Sequence, residues 1–262
     1  MTMQPSQTDG QNPEPRDSGW AVPVHKIEVS SVPVGATNIN VEGRQAVSAL
    51  QGFGQLWQKT YRIRLTGVKL TPAEVMHAWK ENFPKFHPPA SRFYPPMTGI
   101  KPGEVIFIEG RVPAFQGSPD IMPVSSGVRV IYADDESFTI MTPEGFPESG
   151  WNTFSVYDDD GTVVAQVQSM ARASDPLYEL YFRYLGSGEW QENVWVHVLT
   201  SLAQYYEVKG QVTISKTCVD PRVQWSEAKN IWKNAGARTV FYKMGAPLRW
   251  IRNAVGRQPA GR

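Results

Sequence analysis

The residues best suited to acid–base or metal chemistry are four histidines, His25, His77, His87 and His197, but no two stand at helical spacing and none falls in a His-Glu-x-x-His pattern. A zinc hydrolase needs ligands that converge from one helix face, so the scatter argues against one. The acidic clusters Asp134–Glu136 and Asp158–Asp160 can be read as paired carboxylates or cation ligands, yet each falls where a hairpin needs turn residues. There is no Gly-x-Ser-x-Gly elbow and no phosphate loop, and Gly52-Phe53-Gly54 is followed by Trp57 where a dinucleotide fingerprint wants its third glycine. The sequence therefore assigns no catalytic residue, no metal ligand and no cofactor.

What remains is a small set of polar residues on faces that otherwise read as apolar. Asn152 and Ser169 share a strand face with Phe154 and Val167, Arg129 alternates with valines, and His197 lies one position from the stripe Val194, Val198, Leu202. Buried polar groups need partners, and ligand pockets use a few of them to orient a polar end. The plainer reading is that Arg129 points to solvent and His197 sits on the flank of its helix. The expected ligand-contact set is Arg129, Met141, Asn152, Phe154, Ser169, Trp195, His197 and Val198.

The elements that must position these residues follow from periodicity. Gly127–Tyr132 and Ser137–Thr142 alternate around Asp134-Asp135-Glu136 and read as a hairpin. A second hairpin joins Trp151–Tyr157 to Thr162–Arg172 through Asp158-Asp159-Asp160-Gly161. If Tyr157 opposes Thr162, Phe154 and Val156 share one face with Val163, Ala165 and Val167, while Thr153, Ser155, Gln166 and Gln168 share the other. The run Thr60–Leu65 is expected as the first sheet strand, and Gly103–Glu109 also has strand character.

Thr71-Pro72-Ala73-Glu74 combines a capping hydroxyl, a first-turn proline and a carboxylate at the third position, ahead of the stripe Val75, Met76, Trp79 and Phe83. After Asp175-Pro176 the spacing turns helical, with a break expected around Gly186-Ser187-Gly188 and a longer helix at about 188–208. The fold class expected is α+β, an antiparallel curved sheet wrapped around a long C-terminal helix. Residues 1–20 read as a disordered leader, 21–210 as the ligand-binding domain and 211–262 as a basic amphipathic extension.

Charge is unevenly spread over the 262 residues. Residues 216–262 hold ten Lys or Arg against two acids, a net +8 that leaves −7 on the rest. Trp225, Trp232, Phe241, Tyr242 and Trp250 sit among those cations. Such a mixture suits either a tail folded back on the acidic body or an amphipathic segment on an anionic membrane surface. Nucleic-acid binding is not expected, because no recognised module accompanies the basic stretch. No apolar run approaches the roughly 20 residues of a membrane span, and Met1–Ser18 lacks a signal-peptide layout, so a cytoplasmic location is expected, peripheral to a membrane if the tail touches one. A single cysteine, Cys218, rules out an internal disulfide.

Three segments carry a resemblance: Leu50–Arg64, Arg92–Gly99 and Tyr132–Gly145. They are similar to an uncharacterised bacterial group that resembles the START or Bet v 1-like superfamily, also called SRPBCC proteins, over roughly residues 45–208. The resemblance implies a helix-grip fold with a deep hydrophobic cavity between the sheet and the C-terminal helix, used for lipids, sterols, polyketides and other apolar molecules. Some relatives are cyclases or hydrolases, and the matching motifs carry over no catalytic residue. Carriage of an apolar small molecule is the expected function. A cofactor-independent cyclase, dehydratase or hydrolase is the alternative, and an interaction module acting through the basic tail is a second one.

Overall fold

Alternating apolar and polar residues build eight strands: β1 (Leu56–Leu65), β2 (Ser91–Tyr94), β3 (Val105–Pro113), β4 (Ile121–Ala133), β5 (Ser137–Met141), β6 (Glu148–Asp159), β7 (Thr162–Ala173) and β8 (Thr213–Asp220). Four helices accompany them, α1 (Pro72–Glu81), α2 (Pro176–Tyr184), α3 (Ser187–Tyr205) and α4 (Ala235–Met244). The computed structural model describes residues 19–113, 121–184 and 187–245; the expected leader lies almost wholly outside them. The strands form one sheet in the order β2-β3-β4-β5-β6-β7-β1-β8, with every neighbouring pair antiparallel.

The β6–β7 hairpin shows how local chemistry sets register. Asp160 (φ 53°) and Gly161 (φ 77°) form a two-residue turn of the type whose twist matches the strands, and Asp158 Oδ1 accepts from the Gly161 amide at 2.9 Å. Asp159 therefore faces Thr162 and Tyr157 faces Val164, two residues away from the register expected. An even shift leaves the faces unchanged, because side chains alternate with period two. Phe154, Val156, Val163, Ala165 and Val167 are all buried on the inner face, and Asn152 pairs with Ser169 beside them.

Helix α1 starts as its sequence requires: the Glu74 amide donates to Thr71 Oγ1 at 3.3 Å and the Thr71 amide donates to Glu74 Oε2 at 2.8 Å. Its buried residues are Val75, Met76 and Trp79. Asp175 caps α2 by accepting from the Leu177 and Tyr178 amides at 2.8 and 3.0 Å. The expected break falls between α2 and α3, and α3 lies across the inner face of the sheet with Val194, Trp195, Val198, Leu199 and Leu202 buried.

One core cluster joins these elements, and its centre is aromatic. Phe138 and Phe154 stack at 4.5 Å, and Trp79, Phe83 and Trp195 meet Phe154 edge-on at 5.4–5.6 Å. His87 packs on Phe93 with ring centroids 3.7 Å apart and the planes tilted by 32°. Its Nδ1 is 2.8 Å from the Phe83 carbonyl, which makes Nδ1 the protonated nitrogen. Burial pushes the His87 pKa down to about 3, against the Phe83 hydrogen bond and with a smaller push from His197, so the ring is neutral at physiological pH.

The segment expected as a separate basic extension is part of this fold. Strand β8 extends the sheet beyond β1, and the chain then crosses to the outer face through a 3₁₀ segment, Trp225–Lys233, before α4 packs on β4. A boundary at residue 210 therefore cuts through a continuous sheet. The tail is held by hydrogen bonds more than by apolar packing. Arg172 donates to the carbonyls of Gly54 and Arg222 at 2.7 and 2.9 Å and to Asp220 at 2.7 Å. Asn40 Nδ2, from the arm at residues 19–47, donates to Ser125 O (2.8 Å), Ala235 O (3.2 Å) and Thr239 Oγ1 (3.2 Å), joining arm, β4 and α4. Gly145, at φ +86°, lies against the Lys233 carbonyl with no room for a Cβ.

Candidate functional site

The grip of sheet on helix leaves a cavity of about 100 Å³ at the end of α3 nearest β5 and β6. Its apolar wall includes Phe93, Ile140, Val194 and Trp195, and its polar wall includes Thr142, Asn152, Glu148 and Gln191. The deep cavity implied by the resemblance is thus largely occupied by the aromatic cluster, and the space found lies at this end. A second hollow of about 350 Å³ shares Glu148, Phe182 and Gln191 with the first and reaches the surface between β1, β7, β8 and α3. The shared residues make a partition, in which Gln191 Nε2 donates to Glu148 Oε2.

The two compartments differ in charge. Among the residues lining the inner cavity, Glu148 is the one ionisable side chain. Burial raises its pKa, while Lys59 and the Gln191 hydrogen bond work in the opposite direction. The outer vestibule contains paired charges: Glu192 sits 3.4 Å from Lys59 and 2.9 Å from Lys216, and Arg183 is 2.6 Å from Glu179. Tyr61, on β1, has its hydroxyl pKa pushed up by burial and then by Glu192 and Glu148, so it stays protonated.

Three buried polar atoms in this region have no hydrogen-bond partner among the described residues: Asn152 Oδ1, Trp195 Nε1 and the Tyr61 hydroxyl. An unsatisfied buried group costs about 1–3 kcal/mol. Asn152 and Trp195 both belong to the cavity wall.

Of the residues expected to contact a ligand, the structure brings Asn152 and Trp195 to the cavity. Phe154, Val198 and Ser169 are buried on the same inner face but lie outside its lining. Arg129, Met141 and His197 need correction. Arg129 and Met141 face each other across β4 and β5 on the opposite side of the sheet from Val128, Val130 and Ile140. Arg129 is buried there by the N-terminal arm, donating from Nη2 to the Val22 carbonyl at 2.8 Å, so it is neither in the cavity nor in solvent. His197 is on the exposed side of α3.

Glu148 and Gln191 escaped the sequence reading. Gln191 had a usable signal, since it stands four residues before Trp195 and so shares its helix face. Glu148 had none, because it follows a proline- and glycine-bounded stretch that reads as loop. Among the described residues no group of three or more His, Cys, Asp or Glu is placed to hold a metal ion, and no helix is long and apolar enough to cross a membrane.

An antiparallel sheet in this order, with α1 packed on β6 and β7 and a long helix laid across the inner face, is a helix-grip α+β architecture. No protein-family model and no curated protein sequence matches the chain. Among solved structures it is similar to a START superfamily protein from Mycobacterium smegmatis, at 16% identity and a TM-score of 0.37, over 58% of this chain and 99% of that one. It is similar to Ara h 8.0201 at 12% identity and a TM-score of 0.39, over 57% and 97% of the two chains. Norcoclaurine synthase from Thalictrum flavum matches at 10% identity and a TM-score of 0.34, over 65% and 98%. The site is defined by the geometry of this chain alone.

Proposed function

We propose that the protein binds a small molecule with one apolar end and one polar end, held with the apolar end against Phe93, Ile140, Val194 and Trp195. The observation that carries this reading is the partition: an apolar cavity of about 100 Å³ and a charged vestibule of about 350 Å³ meet at the hydrogen-bonded pair Glu148 and Gln191. Alone, the inner cavity falls below the roughly 300–1,000 Å³ typical of ligand sites, so an occupant must extend through the partition into the vestibule. A single ring or short chain suits that space better than a sterol. Burial of the apolar end contributes roughly 25 cal/mol per Å² removed from water, and the unpartnered Asn152 and Trp195 atoms favour an occupant with a hydrogen-bonding group.

Binding is favoured over catalysis by the same inventory. Acid–base chemistry uses two groups converging on one point, whereas the inner cavity offers Glu148 alone. Native mass spectrometry of protein purified from its own host tests the reading. A co-purifying small molecule is expected, and the Val194→Phe variant, which fills the cavity from its wall, is expected to lose it while remaining folded. Equal retention by that variant would place the molecule elsewhere.

A further inference from the structure

Helix α4 is oriented the wrong way round for a helix that merely completes a core. The residues it turns toward the body are small, Ala235, Gly236 and Thr239, all buried. At about 100° per residue, Ala237, Phe241 and Met244 form a stripe on the opposite side. Phe241 and Met244 are 72% and 71% exposed. The 3₁₀ segment before α4 repeats the pattern: Asn230 is bonded inward to the Gln51 and Ser174 carbonyls, while Trp225 and Trp232 are 74% and 86% exposed. Large apolar side chains at such exposure are removed from water only by a partner.

The charges around them are basic. Salt bridges engage Lys216, Arg222 and Lys233 with Glu192, Asp220 and Glu144, but among the described residues Lys229, Arg238 and Lys243 form none. In the sequence, the 17 residues after Gly245 hold Arg249, Trp250, Arg252, Arg257 and Arg262 and no acid. We infer that Trp232, Phe241 and Met244, together with Lys229, Arg238 and Lys243 exposed on the same two segments, form a docking surface for an anionic phospholipid bilayer.

Tryptophan and other large apolar side chains favour the boundary between headgroups and acyl chains, and each nearby Lys or Arg adds attraction to an anionic surface. A second copy of the chain is a poorer occupant, because a two-fold contact through this patch would place like charges against each other. A nucleic acid is poorer too, since no recognised nucleic-acid-binding module accompanies the basic stretch. The exposed stripe lies on the side of α4 opposite its buried residues, and none of its residues lines the cavity, so this inference is independent of the cavity.

The test is flotation of the full chain with vesicles of mixed phosphatidylglycerol and phosphatidylcholine, and with vesicles of phosphatidylcholine alone. Binding is expected to the mixed vesicles only, and to weaken as salt is raised. The double variant Trp232→Ala/Phe241→Ala should bind at least about tenfold less, and Lys229→Glu/Lys243→Glu should fall similarly at low salt. Both carry exposed changes, so their melting curves should match the parent. Absence of binding to the mixed vesicles, equal binding to both kinds, or variants that bind like the parent would overturn the inference. So would a parent dimer that Trp232→Ala/Phe241→Ala converts to monomer, or single-stranded DNA binding that the same variant abolishes.

Discussion

The two faces of the sheet are covered by opposite means. On the inner face, α1 and α3 bring Trp79, Trp195 and the five phenylalanines at positions 83, 86, 93, 138 and 154 into one cluster, and Trp79 Nε1 and His87 Nε2 beside them have no hydrogen-bond partner among the described residues. On the outer face, Ile27, Val41, Val105 and Phe107 make a small apolar cluster, and the rest is held by directed hydrogen bonds from Asn40, Arg172, Asn230 and Asn234. Apolar burial is non-directional and tolerates an unfilled corner, which is where the cavity lies. Hydrogen-bonded anchoring is directional and fixes where an arm and a tail sit without adding much core. The site is therefore on the face that can spare volume, and the outward aromatic surface is on the face whose covering layer is pinned by polar contacts.

The largest test of this contrast is Phe154→Ala. Phe154 is fully buried and touches Trp79, Phe83, Phe138 and Trp195, so truncation should cost about 3–5 kcal/mol in chemical denaturation. A loss under about 1 kcal/mol would mean that the inner face is not the principal source of stability. On the other side, Asn40→Ala removes a donor to three acceptors and should cost about 1–3 kcal/mol. Its signature should be spatial: amide exchange rises in residues 19–47 and in α4, and not in β6 or β7. A rise that is uniform through the sheet would show that the outer layer does not open on its own.

His87 gives a smaller effect with a defined sign. Its folded pKa is lowered to about 3, so the stability that its neutral ring contributes is present above the ordinary histidine value of about 6.5 and is lost as pH falls toward 3. Thermal melts should show an acid limb in that window, and His87→Phe should flatten it. An unchanged limb would mean that other groups produce it.

The inner face was also the more legible one. The stripe Val75, Met76, Trp79 needed only 3.6 spacing behind a Thr71–Glu74 box, and the hairpin faces survived a two-residue error in register because the error was even. Asn152 and Trp195 were found because each shares a periodic face with buried neighbours. Arg129 was misplaced because both sides of β4 are covered, and the arm that covers its outer side, residues 19–47, has no apolar period to announce it. Strand β8 merges with the basic tail in the sequence for a related reason: Thr213–Asp220 is an edge strand, largely exposed on both faces, so its burial follows no alternation. Periodicity reports a surface packed on one side, and it falls silent where single hydrogen bonds do the holding.

Glu148 completes the comparison, because its linkage runs opposite to that of His87 on the same inner face. Burial is the largest influence on its carboxyl and raises the pKa, with Lys59 and Gln191 acting against it. A carboxyl with a raised folded pKa holds its proton more tightly in the folded state, so its contribution to stability is fully present at acid pH and is lost as pH climbs above the ordinary glutamate range, near 4.3, through the raised folded value. Above that range the fold carries the cost of burying this carboxyl, which the unfolded chain does not bear. Glu148→Gln removes that charge while its side-chain carbonyl can still accept from Gln191, so the variant should melt a few degrees higher than the parent at pH 7, with the gap closing toward pH 4. A variant that melts lower at pH 7 would show instead that the charge is stabilised by Lys59 more than it is penalised by burial, and the partition would then be an ion-paired wall whose opening requires breaking a charge contact rather than exchanging one hydrogen bond for another.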